Sequence, residues 1–239
     1  MDSNASDAGV TTGSGTVSVS SNTEMDFSGS PGATGSGSWI GPIATNQTPV
    51  PDPLLYLPEP TGTGATTYKK VNAAGNQVVT VDPGVYTGGI KISGQASLIM
   101  NPGIYYMAGG GFSFTGQGSL TAIGVMIVNL PGSNSDVINI NGTGAINMAP
   151  MTTGIYRGIL LWQQRSSTNT IFVTGNGTSQ ISGTFYAAHG TLNVSGNGSQ
   201  DVLGSQYISY DMKVNGNGNF AVNWNPDKVA RVRVLRLVE

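Results

Sequence analysis

The chain has 239 residues, no cysteine, 36 glycines and a net charge of −2 at pH 7. The lack of cysteine excludes stabilisation by disulfides, and a pI near 5.3 with few charged residues excludes an electrostatic match to nucleic acid or an anionic membrane. No apolar run reaches the ~18 residues of a membrane helix. Val, Ile and Tyr are frequent and helix-period patterns are scarce, so the composition predicts an all-β protein.

The first third of the chain precedes the clearest repeats. Residues 1–12 are predicted to be a disordered leader, and residues 13–46, with GSGTVSVSS and GSGSWIGPI, to form the first strands of a repeat fold. Residues 47–66 begin with QTPVPDPLLYLPEP, where five of fourteen residues are proline. Proline cannot donate to a strand ladder, so this segment is predicted to be an extended connector packed on the wall of the fold. A flexible linker between two domains is the alternative.

Two glycine markers recur in a fixed order between residues 67 and 228. One marks corners such as SGQAS, TGQGS, NGTGA and three copies of GNG, and its first glycines lie 20 to 33 residues apart. The other marks PGVY, PGIY, IGVM, RGIL, SGTF and LGSQ, each 10 to 18 residues before its partner corner. Periods of about 20 to 50 residues are typical of repeat architectures.

Apolar and polar residues alternate around these corners, which predicts half-buried strands. The apolar positions are Ile90, Ile92, Phe112, Phe114, Leu192, Val194, Met212 and Val214. One rung of about 20 residues cannot bury its inner side alone and needs neighbours stacked on it. The fold is therefore predicted to be a single-domain right-handed parallel β-helix (β-solenoid) with its body over residues 67–228. The handedness follows the prevalence of right-handed solenoids.

The copies VTGNGTS, VSGNGSQ and VNGNGNF allow two interpretations. A Gly-rich loop that cradles phosphate needs a helix directly after it, and no helical pattern follows these copies. A solenoid corner needs φ > 0, which Gly adopts freely and Asn tolerates. The corner interpretation is favoured, and it predicts that Asn176, Asn197 and Asn217 stack along the axis and share side-chain hydrogen bonds.

The end of the chain, residues 229–239, alternates Arg231 and Arg233 with apolar neighbours. It is predicted to be a capping strand, because solenoid ends expose unpaired backbone that must be covered. An uncovered end accepts another chain end to end or as a donated strand. A second copy of the chain is therefore one predicted partner.

The order of several segments resembles a known family. TPVPDPLLYLPEP, the PGVY and PGIY pair, GTFYAAHGTLNVSGNGS and a last strand with Arg236 and Glu239 resemble the Gly-rich ectodomain of bacterial tight-adherence (Flp) pilus-assembly G-like proteins, over about residues 13–239. SGTFYAAHGTLNVSGNG is also similar to β-helical repeats of other surface proteins. The resemblance implies an extracellular or cell-envelope module of adhesion or pilus assembly, with envelope or pilus proteins as partners. It implies no enzymatic chemistry.

The leading prediction for function is thus a non-enzymatic structural or adhesion module. An extracellular glycan-binding domain is the alternative, with Trp39, Trp162 and Trp224 as stacking residues if they are exposed.

A polysaccharide lyase or hydrolase is the third alternative, because parallel β-helices host such enzymes on clustered carboxylates. The groups that would have to converge are Asp82, Asp136, Asp201 or Asp211 with Arg157, Arg165 or Lys213. The sequence has no Asp-Asp or Asp-x-Asp pair.

Other candidate chemistry is sparse. His189 has no second His or Cys for a triad or metal site, so it is predicted to be a turn residue rather than a partner of Ser182 or Ser195. Asn134 and Asp136 are candidates for weak Ca²⁺ binding without the acidic density of a dedicated site. Thr-x-Thr does not recur at the repeat period, as an ice-binding surface would require. No catalytic residue, cofactor or metal site is predicted.

Overall fold

The computed structural model describes residues 2–3, 8–12, 16–18, 25–27, 32–48, 51–196, 201–216, 220–222 and 225–230. Its regular elements are all strands. In chain order these are β1 (Asp2–Ser3), β2 (Ala8–Thr12), β3 (Thr16–Ser18), β4 (Met25–Phe27), β5 (Gly32–Gly35), β6 (Ser38–Ile40), β7 (Ile43–Ala44), β8 (Thr67–Ala73), β9 (Val78–Val81), β10 (Gly84–Ile92), β11 (Ser97–Met100), β12 (Gly103–Ala108), β13 (Phe112–Phe114), β14 (Leu120–Ile123), β15 (Val125–Leu130), β16 (Ile138–Ile140), β17 (Ile146–Ala149), β18 (Ile159–Gln163), β19 (Ile171–Thr174), β20 (Gln180–Ile181), β21 (Thr184–Ser195), β22 (Asp201–Leu203), β23 (Gln206–Asn215) and β24 (Phe220–Ala221).

The strands stack in parallel as a β-solenoid of about seven turns, with equivalent positions about 22 residues apart. This confirms the predicted fold; the right-handed sense stays a prediction. Each rung runs through three faces. Face 1 holds the first halves of β8, β10, β21 and β23 with β12, β15 and β18 between them; face 2 holds the second halves with β13, β16 and β19; face 3 holds β9, β11, β14, β17, β20, β22 and β24. Rung 1 is β8–β9 and rung 7 is β23–β24.

The interior is a set of apolar columns, one side chain per rung. On face 1, Tyr105, Ile127, Leu161 and Phe185 are in register and none is exposed. The predicted inward residues of face 2 are confirmed: Ile90, Ile92, Phe112, Phe114, Leu192, Val194 and Met212 are buried, and Val214 packs on the same core. Alternation of side chains across each strand thus supplies one shared core.

The positive φ predicted for the corner glycines is found at some of them and not at others. A positive φ is found at Gly94 and Gly216 (65° and 102°), but not at Gly116, Gly142 or Gly175. At Gly116 the need is space instead, because a Cβ there would lie 2.8 Å from the carbonyl oxygen of Gly94 in the rung before. Close stacking thus explains Gly116, whereas a positive φ is found at Gly177 of the VTGNGTS corner (99°) and at all six glycines of the second marker, from Gly84 to Gly204.

Of the three residues in the predicted asparagine ladder, Asn176 lies within the described part of the chain. Its amide donates to the backbone carbonyls of Gly142 and Gly144 in the preceding rung. Its Oδ1 accepts from the N–H of Thr178 at 3.1 Å. The bonds therefore join side chain to backbone across rungs. Asn197 and Asn217 lie outside the described residues.

The N-terminal strands do not stack before rung 1. β2 pairs in parallel with β23, with Thr11 opposite Lys213, and β5 pairs with β2. Face 2 therefore continues past rung 7 into residues 8–12 and 32–35, and residues predicted as a disordered leader contribute β1 and β2. The chain enters the fold at the far end of the solenoid and then crosses about 30 Å of stacked rungs to begin the body at β8.

Residues 51–66, called the strap below, make that crossing along the outside of face 1. Leu54 is only 2% exposed and packs with Met126, Val128, Trp162 and Tyr186 in an outer cluster separate from the core. Further along, a Cβ on Gly62 would lie 2.9 Å from Val85 and 3.0 Å from the ring of Tyr106. The strap thus covers outward apolar side chains that would otherwise face water.

Arg165 fastens the strap to the wall. Its Nη1 donates to Glu59 at 3.2 Å, its Nη2 donates to the carbonyls of Leu54 and Leu57 at 2.5 and 3.0 Å, and its Nε donates to the Tyr186 hydroxyl at 2.8 Å. The guanidinium also lies 4.9 Å from the centre of the Trp162 ring. The planar guanidinium therefore binds a carboxylate, two backbone carbonyls and a hydroxyl, and also lies over an aromatic ring.

Two further contacts complete this network. Burial, and then the hydrogen bond to Asp52, raise the pKa of Tyr186, so the phenol stays protonated and donates to Asp52 at 2.6 Å. Glu59 also accepts from the indole N–H of Trp162 at 3.2 Å.

The C-terminal segment is described only at its start. Val229 and Ala230 are buried, and the N–H of Ala230 donates to the Thr184 hydroxyl at 2.8 Å. The rest of the predicted capping strand, residues 231–239, lies outside the described residues.

Replacing Arg165 by Met should free the strap, because it removes the hydrogen bonds of the guanidinium to Glu59 and to two strap carbonyls. We expect a loss of about 3 kcal/mol in the free energy of unfolding, measured by urea denaturation, and faster proteolysis within residues 51–66. Arg157→Met, at an exposed position, is the matched control and should change neither. Equal stability of the two variants would contradict this role of Arg165.

Candidate functional site

The corner between faces 1 and 2 varies in length from rung to rung. In most rungs it is short, as at Gly88–Gly89, but in rungs 4 and 5 it expands into two adjacent loops, residues 131–137 and 164–170. The loops enclose an open cleft of about 260 Å³. Its lining is polar and consists of Pro131, Gly132, Ser133, Asn134, Gln164, Ser166, Ser167, Thr168 and Asn169. We call this feature the corner cleft.

The first loop sits on a glycine triplet in the rung below. Gly109, Gly110 and Gly111 have φ values of 75°, 70° and 66°, a run that residues with a Cβ rarely adopt. A Cβ on Gly111 would overlap the backbone of Val137. The sequence AGGG therefore marks the place where the loop folds down onto the solenoid.

Asp136 shapes this loop internally. Its carboxylate accepts from the backbone N–H groups of Gly132 and Ser133, both at 2.9 Å. Burial alone would raise the pKa of this carboxyl, but hydrogen bonds from Gly132, Gly110 and Ser133 hold it below its usual value. The carboxylate therefore stabilises the conformation of its own loop instead of pointing freely into solvent.

Three amide side chains join the two loops. Asn169 is 7% exposed, and its Nδ2 donates to the carbonyls of Ser133 and Asp136 at 2.8 and 3.0 Å. Below it, Asn129 donates to the same Asp136 carbonyl at 2.7 Å and to Gln163 Oε1 at 3.0 Å. Asn129 and Gln163 are fully buried within an otherwise apolar column, and Asn129 Oδ1 and Gln163 Nε2 have no hydrogen-bond partner in the described part of the chain.

His189 belongs to the same corner, one rung further on. It is exposed, but it lies within β21, between Ala187 and Thr191 where the register shifts, and not in the turn that was predicted. The adjacent Gly190 lies against the second loop, since a Cβ there would be 2.5 Å from the carbonyl oxygen of Asn169. Tyr210, which is 42% exposed, occupies this corner in rung 7. His189 stands out in the sequence as the single histidine, but its position beside the two loops could not be predicted because the loops belong to other rungs.

The candidate carboxylates lie on different rungs and have structural partners. Asp201 is 2% exposed and caps a GNG corner by accepting from Gly177 and Ser179, both at 2.9 Å. Asp82 accepts from Asn101 at 2.7 Å.

Of the remaining candidates, two are neighbours and two lie elsewhere. Asp211 and Lys213 lie on β23, two residues apart, Arg157 is in an exposed turn and Arg165 holds the strap. Apart from the neighbours Asp211 and Lys213, the structure does not bring the predicted groups together, and the described residues contain no group of three His, Cys, Asp or Glu side chains suited to a metal ion.

Trp162 is fully buried between the strap and face 1, so it does not meet the condition of exposure that was set for a stacking residue. The side chain of Trp39 and residue Trp224 lie outside the described residues. An aromatic side chain that sequence analysis missed is Phe172, which is partly exposed on the outer side of face 2 and directly follows the second loop.

Comparison of the chain with protein-family models, curated proteins and solved structures finds no match. The resemblance to the pilus-assembly family therefore stays a prediction. Within the described residues no helix is long and apolar enough to span a membrane.

Asp136→Asn should give a pH-dependent loss of stability. A carboxyl whose pKa is lower in the folded protein stabilises fully above its unfolded value of about 3.9 and loses that contribution as the pH falls through the folded pKa. We expect wild type to be more stable than the variant at pH 7 and the difference to shrink below about pH 4, in urea titrations across the range. Asp227→Asn, at an exposed turn, is the control; a constant difference for Asp136→Asn would contradict the assignment.

Proposed function

We propose that the chain is a non-enzymatic structural module of a bacterial cell surface or pilus-associated assembly, which joins copies of itself end to end. The observation that carries the proposal is the free edge of rung 1. In the described part of the chain, β8 pairs only with β10, and β9 is the last strand of face 3. The localisation, and envelope or pilus proteins as further partners, rest on the family resemblance.

The free edge has unpaired backbone groups. The Thr66 carbonyl accepts from the N–H of Val85 in rung 2. Because backbone groups of a parallel strand alternate in direction, Thr67 and Lys69 direct their N–H and C=O groups away from rung 2. Such an edge is a template for another strand.

The end of the core is also incompletely covered. Tyr68, Val71 and Val79 pack on the core but are only partly buried. Another rung stacked on β8 and β9 would bury these side chains.

A second copy is the occupant that fits this end. The edge spans three faces at once, so a single strand from another protein would pair with only one of them. At the opposite end of the same solenoid, β5 is the last strand of face 2, and β6 and β7 are edge strands of two small parallel sheets among the described residues. Contact between two different ends of one molecule does not close on itself and produces filaments.

Negative-stain electron microscopy over a series of protein concentrations tests the proposal. We expect stacks that lengthen with concentration. Lys69→Pro removes an outward N–H and should shorten them, whereas Lys69→Ala removes the same charge, keeps the N–H and should assemble like wild type. Circular dichroism verifies that both variants are folded. Single rods at every concentration, or unchanged stacks of Lys69→Pro, would overturn the proposal.

A glycan-binding domain is the second candidate function, and the corner cleft is the observation that favours it. Its lining of hydroxyl and amide groups lacks the aromatic, Met and Arg side chains that are enriched at protein-binding sites.

A further inference from the structure

We infer that the corner cleft binds one residue of a neutral sugar, and that the outer side of face 2 extends the site toward a second. The inference rests on the second candidate function, glycan binding, and does not depend on end-to-end assembly, because the cleft lies in rungs 4 and 5 and the proposed contact lies at the ends. Four features of the cleft support the inference: its chemistry, its lack of a free charge, its rigidity and its aromatic neighbour.

The chemistry of the lining matches hydroxyl groups. Ser133, Ser166, Ser167 and Thr168 supply hydroxyls, and Asn134 and Gln164 supply amides, whereas the Asn169 amide is used in joining the loops. Each of these groups both donates and accepts hydrogen bonds. A sugar ring carries hydroxyls with the same dual capacity at close spacing, so such a surface can satisfy several of them at once.

The charges near the cleft are already paired. Arg165 lies between two lining residues, but its guanidinium extends over face 1 to Glu59 and its backbone N–H donates to the same carboxylate at 3.1 Å. The Asp136 carboxylate is held by backbone N–H groups of its own loop. An anionic ligand would therefore lose hydration without gaining a cation, which favours a neutral sugar over a phosphate or an acidic sugar.

The loops are held in place before any ligand arrives. The Asn169 side chain links the second loop to Ser133 and Asp136 of the first, and the Ser167 hydroxyl accepts from the N–H of Asn169 at 3.1 Å. The strap holds the start of the second loop through Arg165. A site that is already ordered pays less conformational entropy on binding.

Phe172 provides a neighbouring stacking surface. It is in register with Asn139 on one side and Asn193 on the other, each about 4.8 Å away along the sheet. Asn139 and Phe172 belong to the strands that directly follow the two loops. A partly exposed ring flanked by amides suits the apolar side of a sugar ring and its hydroxyls.

The volume of the cleft limits the size of the ligand. Its volume of about 260 Å³ is just below the ~300 Å³ at which pockets for drug-sized molecules begin. One monosaccharide residue is of that order, so a longer glycan would continue over Phe172 rather than enter the cleft.

Saturation-transfer NMR and calorimetry on the full chain test the inference. The probes are the methyl glycosides of glucose, galactose, mannose and N-acetylglucosamine, with galacturonic acid as the acidic comparison. We expect at least one neutral glycoside to bind with a Kd of about 1 mM, as is reasonable for a ligand of this size. Galacturonic acid should bind more weakly.

Two tryptophan variants locate the site. Thr168→Trp places a large side chain at an exposed position of the cleft and should weaken binding at least about tenfold. Thr121→Trp makes the same change at an exposed position of face 3 and should bind like wild type. Circular dichroism verifies that both are folded. Absence of binding by every neutral probe, tighter binding of galacturonic acid, or equal binding by the two variants would each overturn the inference.

Discussion

Parallel stacking of one rung on the next is the interaction on which the rest of the structure depends. Each strand pairs its backbone with the equivalent strand about 22 residues away, and each inward side chain then lies on its counterpart. The core exists only as columns shared between rungs, such as Tyr105, Ile127, Leu161 and Phe185. No single rung buries its own apolar side, so any rung at an end keeps part of its core exposed until something stacks on it.

The same constraint leaves the corners free to vary. A loop inserted at a corner does not disturb the strands if it leaves and returns in register, and rungs 4 and 5 accommodate two such loops side by side. Their amide cross-links, and the strap that reaches the second loop through Arg165, turn two insertions into one ordered cleft. The corner and the end, which we propose for ligand binding and for assembly, are therefore the places where stacking constrains the sequence least.

The alternation of residues within each strand predicts much of this fold, whereas contacts between distant segments could not be predicted from the sequence. Alternation predicted the inward residues Ile90, Ile92, Phe112 and Phe114 because side-chain direction is set within a strand. Pairing of β2 with β23 was not predictable in this way, since a parallel partner is not encoded by neighbouring residues. The link between Arg165 and Glu59, 106 residues apart, and the burial of Asn129 and Gln163 likewise depend on tertiary contacts. The cleft was visible only as an oxygen-rich segment around Asp136, because its second half comes from the next rung.

The placement of the N-terminal strands beyond rung 7 is the central claim, because it leaves rung 1 as an open end. Disulfide formation tests it most directly, in a chain that has no cysteine of its own. Thr11 and Lys213 are register partners, and neighbouring strands about 4.8 Å apart fall within disulfide range. The account predicts that the double variant Thr11→Cys/Lys213→Cys forms an intramolecular bridge on mild oxidation. Failure of that bridge, with an intramolecular bridge in Thr34→Cys/Asn72→Cys instead, would place these strands before rung 1 and contradict the account.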